Sequence, residues 1–495
     1  MPARLEVGIR DWVALRAATH PDHPAVECAA SVWTYADLER HVSTAAGALR
    51  ARGVEAGEPV AVLAGNGLEI ARFAHAIPRA GAAFMPLNVR LSASELAFQL
   101  SDSRARLLIV TEEFAEVARE AAALAGVEVV DASSDEWDAG TPLGGSTVVA
   151  ADQPHSVIYT SGTTGRPKGA VLTHGNFYWS AVASSMNLGV REDDRWLACM
   201  PLFHVGGLSI LLRSAIYGTT AVVHERFDEA RVNAALREDG VTLLSVVATM
   251  LTRMFDVDSA PLGDSLRAVL LGGGPAPRPL LEAAHHRGVP VLQTYGLTET
   301  ASQVATLSSE DALRKLGSAG LPLSSSTVRV DVDGRAAEAG EIGEICVMGP
   351  TVCAGYLHRP DATVEAIRDG WLHTGDLGYL DAEGYLYVAD RRDDLIVSGG
   401  ENVYPAEVES ALLALDGVEE CAVVGVPDDR WGHVVVAVVV GDADVEAIPG
   451  RLRDALAGYK VPRRFVRWSE PLPRTASGKL QRHLVRERLV QESAT

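Results

Sequence analysis

The chain has 495 residues, 47% of them hydrophobic and 22% charged, a composition typical of α/β proteins with more than one domain. Its formal net charge of −21 argues against binding to nucleic acid or to an anionic membrane through a general positive field. The five scattered cysteines lack a CxxC pair, and the sequence shows neither a signal peptide nor an apolar run long enough to cross a membrane. We therefore expect a cytoplasmic protein with free thiols and no membrane insertion.

Up to about residue 325, short apolar segments alternate with amphipathic ones. The amphipathic stretch 36–52, closed by Gly53, predicts a helix. Nearly continuous apolar runs are typical of strands that are covered on both faces, and they lie at 59–63, 106–110, 220–224, 242–247 and 267–271. This alternation predicts mainly parallel sheets with helices packed outside.

From about residue 325 the pattern changes to alternation with period two, interrupted by Asp-Gly and Glu-Gly turns. It predicts a small antiparallel β unit. We predict an α/β fold with a large N-terminal domain at 1–390, which combines parallel sheets, helices and this unit. A hinge at 391–395 and a smaller C-terminal α+β domain at 396–495 follow.

The segment 159–169, YTSGTTGRPKG, places glycines, hydroxyl groups and Lys168 at the end of a predicted strand. Backbone N–H groups of such a turn converge on an anion, hydroxyls add donors, and a lysine supplies positive charge. Lys168 is one of only four lysines among 44 basic residues. The spacing differs from a Walker A motif, because Gly169 and not a hydroxyl residue follows the lysine. We predict a phosphate-binding loop, in preference to a flexible surface turn.

Two later segments point to the same kind of ligand. LLGGGPAP, at 270–277, runs from a predicted strand into three glycines, against whose bare backbone a flat ring can lie. TYGLTET, at 294–300, brings Tyr295, Thr298 and Glu299 to another strand end, where ligands of open α/β sheets bind. Glu299 is a candidate Mg²⁺ ligand, because Mg²⁺ combines one or two carboxylates with phosphate oxygens. Taken alone, Glu299 is better interpreted as a solvated loop carboxylate.

Five segments together are similar to the adenylate-forming superfamily, which includes acyl-CoA synthetases, firefly luciferase and peptide adenylation domains. They are YTSGTTGRPKG, YGLTET, GWLHTGDLG, DRRDDLIVSGGENVYPAEVE and PRTASGKLQR, in the family's order and over nearly the whole chain. The resemblance implies an AMP-forming acid–thiol ligase that uses ATP, Mg²⁺ and CoA. A carboxylate would become an acyl-adenylate with release of pyrophosphate. The C-terminal domain would then rotate, and the CoA thiol would displace AMP.

The resemblance assigns roles in ATP binding. Thr298 would contact the α-phosphate, and Glu299 would bind Mg²⁺. Asp376 would accept hydrogen bonds from both ribose hydroxyls, with Arg391 assisting. The β- and γ-phosphates would lie on the glycine-rich loop, at Thr160, Ser161, Gly162, Thr163, Thr164 and Lys168. The adenine would lie against Gly272, Gly273, Gly274 and Tyr295.

The resemblance also assigns roles to the mobile domain. Asp393 matches the family's hinge residue. Lys479 matches the catalytic lysine, which would stabilise the charge that builds in the transition state of adenylation. After rotation, Gly399 and Gly400 would line a channel for the pantetheine arm of CoA. One site would then serve both half-reactions.

The segments around 199–218, 270–282 and 289–304 resemble most closely the o-succinylbenzoate–CoA ligases, the superfamily members of menaquinone biosynthesis. His204 matches the family's gating aromatic residue, and Gly206 and Gly207 would leave space for an aryl ring. The second carboxylate of such an acid needs a cation or hydrogen-bond donors when it is buried. Arg253 and Arg213 are the two candidates, and we favour Arg253.

Other hypotheses stay open from the sequence alone. A general aryl- or short-acyl-CoA ligase, for a benzoate-like or malonate-like acid, would use the same motifs. An amino-acid-activating domain and a luciferase-type oxidase are further members of the superfamily. A non-catalytic acyl-nucleotide sensor should have lost one of Lys168, Glu299, Asp376 and Lys479, and all four are present. We expect small-molecule partners, with a homodimer as a further hypothesis.

Overall fold

The computed structural model describes the chain except for residues 1–7, 146–147, 161–165, 274–275, 277, 333, 392–395, 404, 474–479, 481 and 495. Within these described residues, no helix combines the length and the apolar character that a membrane crossing requires. The five cysteines are buried and unpaired.

The glycine-rich segment belongs to a six-stranded sheet of the N-terminal domain. Its first two strands pair antiparallel and place Thr160 opposite Lys168, whereas the other neighbours run parallel. In order across the sheet, the strands are Lys168–Thr173, Pro154–Thr160, Ala83–Pro86, Pro59–Leu63, Leu108–Val110 and Val129–Asp131.

A nine-stranded sheet forms the second layer of this domain. Its six central strands run parallel, and its edge strands are antiparallel. In order, the strands are Leu321–Pro322, Ser302–Thr306, Val291–Leu297, Ala268–Gly272, Leu243–Val247, Arg195–Ala198, Thr220–Val223, Pro24–Cys28 and Ser31–Thr34. Because parallel strands end at one edge, the segments after Ala198, Val247, Gly272 and Leu297 meet there.

The later part of the chain forms two more sheets. The antiparallel unit contains Arg335–Ala336, Thr327–Val332, Gly343–Met348, Trp371–Leu380 and Ile367–Arg368, with Leu386–Arg391 paired to Trp371–Leu380. The C-terminal sheet contains Glu401–Val403, Ile396–Ser398, Gly432–Gly441 and Val418–Asp428, with Arg464–Trp468 beside Gly432–Gly441. A short pair, Gly8–Ile9 and Val149–Ala150, lies apart from these sheets.

Helices cover both faces of the two large sheets. The helix Ala93–Ser103 begins with a capping box, in which Ser92 Oγ accepts from the Glu95 N–H and Glu95 accepts from the Ser92 N–H. The other helices are Trp12–Thr19, Tyr35–Ala51, Leu68–Arg79, Ala115–Ala125, Glu136–Ala139, His174–Leu188, Val205–Tyr217, Glu229–Glu238, Ala248–Val257, Arg278–His286, Pro360–Ala366, Pro405–Leu413, Ile448–Arg453 and Arg482–Ala494. Short 3₁₀ turns lie at Glu112–Phe114 and Thr298–Thr300.

The predicted fold class is confirmed. The segments expected as buried strands form strands within two residues of the predicted bounds, and the helix expected at 36–52 spans Tyr35–Ala51. The alternating segments after residue 325 form the antiparallel unit. These predictions succeed because burial on both faces requires apolar side chains at nearly every position of a strand.

Candidate active site

A cavity of about 830 Å³ lies where the strand ends of the two large sheets face the antiparallel unit and a loop of the C-terminal domain. A volume of this order suits a ligand of nucleotide size. The cavity wall contains most of the predicted site residues, namely Thr160, Lys168, His204, Gly206, Gly207, Arg253, Gly272, Gly273, Thr298, Glu299, Asp376, Gly399 and Gly400.

The remaining predicted residues are placed differently. Tyr295 lies behind the wall, with a buried side chain. The backbone of Arg391 pairs with Asp376 across two antiparallel strands. Outside the described residues lie Ser161, Gly162, Thr163, Thr164, Gly274, Asp393 and Lys479.

Tyr356 organises the corner of the cavity that contains Glu299, the candidate metal ligand. Its hydroxyl donates to Glu299 Oε1 at 2.9 Å, and Thr160 Oγ1 donates to the same oxygen at 3.4 Å. The Nζ atom of Lys168 lies 5.1 Å from the centroid of the Tyr356 ring, within the range of a cation–π contact. Tyr356 therefore contacts both Glu299, the candidate metal ligand, and Lys168, the candidate phosphate ligand.

Sequence reasoning missed Tyr356. It lies in the segment AGYLHRP, between the quoted motifs, and contacts Glu299 across 57 residues of chain. Nearby, burial and the charge of Glu299 raise the pKa of the Cys353 thiol to about 12. The thiol stays protonated, so Glu299 supplies the negative charge in this corner.

The candidate ribose ligand Asp376 is buried and fixed by its neighbours. Its Oδ2 atom accepts a hydrogen bond from the Tyr295 hydroxyl at 2.7 Å. Just before it, the Gly375 N–H donates to Glu344 Oε1 at 3.0 Å, and Glu344 Oε2 lies 2.9 Å from His373 Nδ1. The pairing of this strand shifts register beside Glu344, which turns the residues before Asp376 towards the cavity. The Tyr295 hydroxyl thus fixes the orientation of the Asp376 carboxylate.

The bare strand end expected beneath the adenine is present at Gly272 and Gly273. A Cβ atom at Gly273 would lie 2.9 Å from Val247 Cγ1, and the residue has a φ of +80°. A Cβ atom at Gly272 would lie 3.2 Å from Thr294 Cγ2. Larger residues would therefore clash with the neighbouring strand ends, so glycine keeps this strand end bare where it borders the cavity.

His204, the candidate gating residue, lies on the cavity wall and approaches the C-terminal domain. Its Nε2 atom lies 3.8 Å from Glu401 Oε2, and about half of the side chain is open to the cavity. Partial desolvation by the surrounding protein, with a contribution from the charge of Arg90, lowers the pKa of His204 below its usual value. Glu401 alone would favour the charged form, but Arg90 already pairs with this carboxylate. The imidazole therefore stays neutral at pH 7.

Gly206 and Gly207, which follow His204, differ in what a side chain would contact. At Gly206 a Cβ atom would have Met200 Cε as its nearest neighbour, at 3.6 Å, so this position leaves space in the cavity. At Gly207 a Cβ atom would lie 2.3 Å from the Pro201 backbone oxygen. Gly207 thus permits close backbone packing, whereas space for a ring was expected at both positions.

The two candidate arginines differ in burial and in partners. Arg253 is half exposed, donates to Glu229 Oε2 at 2.6 Å, and lies over the Phe227 ring. Arg213 is only 3% exposed, yet it borders the same cavity.

Among the residues that the structure describes, the buried guanidinium of Arg213 contacts neutral partners, the Ser180 hydroxyl and the Trp196 ring. It donates to Ser180 Oγ at 3.0 Å, and its Nε atom has no partner among the residues that the structure describes. Burial lowers the pKa of Arg213, so an anion in the cavity would offset the cost of burying this charge.

The C-terminal domain closes one side of the cavity with a glycine pair. Gly399 and Gly400 have φ angles of +59° and +86°. A Cβ atom at Gly400 would lie 3.2 Å from Val247 Cγ2 of the N-terminal domain, and one at Gly399 would lie 2.6 Å from the Trp431 ring. The pair therefore packs closely against both domains at the border of the cavity.

Comparisons with known proteins identify relatives over the whole chain. The family model for the AMP-binding enzyme matches residues 13–357, and the model for the AMP-binding enzyme C-terminal domain matches residues 407–479. The 2-succinylbenzoate–CoA ligase of Bacillus cereus (strain Q1) is 46% identical over 485 residues, which cover 97% of this chain and 99% of the relative.

Two solved structures of o-succinylbenzoate CoA synthetase from Bacillus subtilis are also similar, each with 42% identity. A double mutant bound to a product analogue, OSB-NCoA, has a TM-score of 0.93 and covers 97% of this chain and 99% of that chain. The complex with the acyl-adenylate intermediate OSB-AMP has a TM-score of 0.76 and covers 98% of each chain.

Proposed function

This chain belongs to the AMP-binding enzyme family, and we propose that it joins o-succinylbenzoate to CoA at the expense of ATP. The acid's carboxylate attacks the α-phosphorus of ATP, which releases pyrophosphate and leaves an acyl-adenylate. The CoA thiol then attacks the acyl carbonyl, and AMP leaves. One observation carries this proposal. A single cavity contains the candidate residues for binding phosphate, ribose and metal, together with a buried arginine and the glycine pair of the C-terminal domain.

In the first half-reaction, the residues of the N-terminal domain bind and orient ATP. Lys168 would bind the β- and γ-phosphates, and Thr298 would donate to the α-phosphate. Asp376 would accept from the ribose hydroxyls, since Tyr295 already fixes its orientation. The hydroxyl and carboxylate oxygens around Glu299 fit Mg²⁺, which would neutralise charge on the phosphates. We keep Lys479 as the proposed catalytic lysine of this step.

In the second half-reaction, the C-terminal domain supplies the path for the thiol. Gly399 and Gly400 would line the pantetheine channel, because they border the cavity from the C-terminal domain and carry no side chains that could block it. Neutral His204, at the boundary between the acyl end and Glu401, would gate this path. The proposed domain limits, 1–390 and 396–495, agree with strand pairing, since Leu386–Arg391 joins the antiparallel unit and Ile396–Ser398 joins the C-terminal sheet.

Arg213 is the residue best placed to bind the second carboxylate of the acid. It is a buried cation at the cavity with one neutral hydrogen-bond partner, whereas Arg253 is exposed and already neutralised by Glu229. An o-succinylbenzoate carboxylate beside Arg213 would form a charge-assisted hydrogen bond in a site of low polarity. Arg253, which the sequence analysis favoured for this carboxylate, also borders the cavity, and its role stays a prediction.

The substrate is tested by mass spectrometry of the CoA thioesters formed from o-succinylbenzoate, benzoate, malonate, octanoate and phenylalanine with ATP and Mg²⁺. We expect o-succinylbenzoyl-CoA as the dominant product. Benzoate is the matched acid that keeps the ring and lacks the second carboxylate. Equal yields from both acids would contradict a site built for a dicarboxylate and favour a general aryl-CoA ligase.

The role of Arg213 is tested with Arg213→Gln and with Arg253→Gln as its matched control. We expect Arg213→Gln to raise the KM for o-succinylbenzoate by roughly 30-fold, because a buried carboxylate loses its charged donor. The slow adenylation of benzoate should change by less than about threefold, which reports a folded enzyme. A larger effect of Arg253→Gln would return the role to Arg253.

Location and assembly are proposals of their own. A cytoplasmic enzyme agrees with five unpaired cysteines and with the use of ATP and CoA. The homodimer stays a prediction, which light scattering of the purified chain would test.

A further inference from the structure

A buried ion cluster joins the two domains next to the cavity. Lys460 of the C-terminal domain donates to Glu407 Oε1 of the same domain at 2.7 Å and to Glu95 Oε1 of the N-terminal domain at 2.8 Å. The Lys460 side chain is 5% exposed, and those of Glu407 and Glu95 are 9% and 12% exposed. A single cation therefore lies between one carboxylate from each domain, almost out of contact with water.

Further contacts surround this cluster and form a domain seam. On its N-terminal side lie Asn88, Arg90, Ser92 and Glu95, and on its C-terminal side lie Glu401, Glu407, Ala455, Tyr459 and Lys460. Asn88 donates to the Tyr459 hydroxyl at 3.2 Å, Ser92 Oγ donates to the Ala455 oxygen at 3.4 Å, and Arg90 pairs with Glu401. The N-terminal half of the seam is thus one short segment, 88–95.

Of the two carboxylates that bind Lys460, only Glu95 lies in the other domain, so its ion pair depends on how the domains are arranged. If the C-terminal domain moves away, Lys460 keeps Glu407, because both belong to that domain. Glu95 loses its cation and keeps only its cap contact with Ser92, whose N–H donates to Glu95 Oε2 at 2.9 Å. The bond between Glu95 and Lys460 therefore exists only while the two domains are docked at this seam.

The docked arrangement is the one that presents Gly399 and Gly400 to the cavity. The whole chain also superposes with a higher TM-score on the relative bound to a CoA product analogue than on the relative bound to an acyl-adenylate.

We propose that Glu95 is a positioning residue for the thioester-forming half-reaction, because it binds Lys460 when the glycine pair of the C-terminal domain faces the cavity. This inference rests on the proposed two-step ligase function. Glu95 does not line the cavity; it selects the domain arrangement in which CoA meets the acyl-adenylate.

The test uses Glu95→Gln in the full chain. Glutamine keeps the size of the side chain and accepts the Ser92 N–H, so the capping box is retained while the negative charge is lost. The matched control is Asp37→Asn, which makes the same change from carboxylate to amide in the capping box of Thr34, at the start of the helix Tyr35–Ala51. None of the described seam contacts involves Asp37.

The two half-reactions are measured separately. Adenylation is followed by ATP–pyrophosphate exchange with o-succinylbenzoate in the absence of CoA. Thioester formation is followed by quenched-flow mixing of the enzyme-bound acyl-adenylate with CoA. For Glu95→Gln we expect adenylation within about twofold of the parent enzyme and thioester formation slower by roughly tenfold or more, because a buried ion pair has lost one partner. Asp37→Asn should leave both rates within about twofold.

The outcomes separate this role from the proposed function. Equal slowing of both half-reactions, or no slowing of either one, would overturn the role of Glu95. A parent enzyme that exchanges no pyrophosphate and forms no thioester would overturn the ligase function, and the positioning role with it. Selective slowing of thioester formation, absent in Asp37→Asn, is the result that supports the role.

Discussion

The wall that faces ATP and the domain seam both depend on carboxylates, but they give these carboxylates different partners. In the wall, Asp376 and Glu299 accept hydrogen bonds from the hydroxyls of Tyr295 and Tyr356. In the seam, Glu95 and Glu407 share the cation of Lys460.

This difference follows from what each carboxylate has to do. A neutral hydroxyl fixes the orientation of a carboxylate and leaves its negative charge available for a ribose or a metal ion. A cation neutralises the carboxylate and joins two surfaces strongly, yet the bond can be exchanged for water when the surfaces part. The wall is thus built for binding, and the seam is built for reversible docking.

Removal of a charge from the wall should have the largest effect. We expect Glu299→Gln to lower the rate of adenylation by roughly 10²- to 10³-fold, because charge on the transferred phosphates is no longer compensated. Pyrophosphate release with o-succinylbenzoate and ATP measures it. Transfer from added acyl-adenylate to CoA should be affected far less, and a similar loss in that reaction would contradict the assignment of Glu299 to the ATP side.

Removal of a neutral donor should have a smaller effect on the same reaction. We expect Tyr356→Phe to lower adenylation at limiting Mg²⁺ by roughly tenfold, because one hydrogen bond to a charged group is lost while the ring beside Lys168 remains. Saturating Mg²⁺ should restore most of the rate. A loss that is independent of Mg²⁺ would show that Tyr356 acts elsewhere. Tyr387→Phe, in the antiparallel unit and away from Glu299, is the matched control.

Acid should destabilise a third kind of site, the buried histidines near Trp12, of which His155 and His174 lie 5.5 and 5.7 Å from the Trp12 ring between centroids. Burial lowers the pKa of His75 and of His174 to about 4, and that of His155 well below its usual value. Below a pH of about 6.5 the histidines of the unfolded chain bind protons, whereas the buried rings of the folded chain stay neutral. The free energy of unfolding therefore falls as the pH falls towards 4. The expected slope is up to about 1.4 kcal/mol per pH unit for each histidine.

Urea unfolding at several pH values between 7.5 and 5 measures this slope. His174→Gln should lower the slope by the contribution of about one proton. His20→Gln, at an exposed position, should leave the slope unchanged. Stability that is constant over this range would contradict the neutral state of the buried rings.

The exposed end of the seam should matter least. Arg90 is about half exposed, so its pair with Glu401 is screened by water. We expect Arg90→Gln to slow thioester formation by only about twofold, with adenylation unchanged. Quenched-flow transfer to CoA measures it, and an effect as large as that of Glu95→Gln would mean that both ends of the seam are equally important.

The sequence was sufficient for the fold class, for the buried strands and for the motif residues that lie on the cavity wall. Apolar runs such as 59–63 report burial directly, and motif residues such as Lys168 and Asp376 lie at strand ends that the fold brings together. The family match and the curated relatives confirm the predicted ligase class.

Long-range partners could not be predicted from the sequence. Glu95 and Lys460 are 365 residues apart, and neither lies in a recognisable motif. The burial of Arg213 depends on the packing of its helix against Trp196 and Ser180, which a periodic pattern does not reveal. The predictions for Lys479, Asp393 and the loop tip at 161–165 concern residues outside the described chain and stay predictions.

The contact of Gly400 with Val247 and Thr249 has a consequence for redesign of the enzyme. These two residues lie at the start of the helix Ala248–Val257, which also carries Arg253 into the wall of the acyl pocket. The helix that borders the cavity at Arg253 is therefore also the surface on which the Gly399–Gly400 loop of the C-terminal domain lies. Engineers who enlarge this pocket for a bulkier acid should expect turnover to stall after adenylation, and they would gain from reshaping the loop and the helix together.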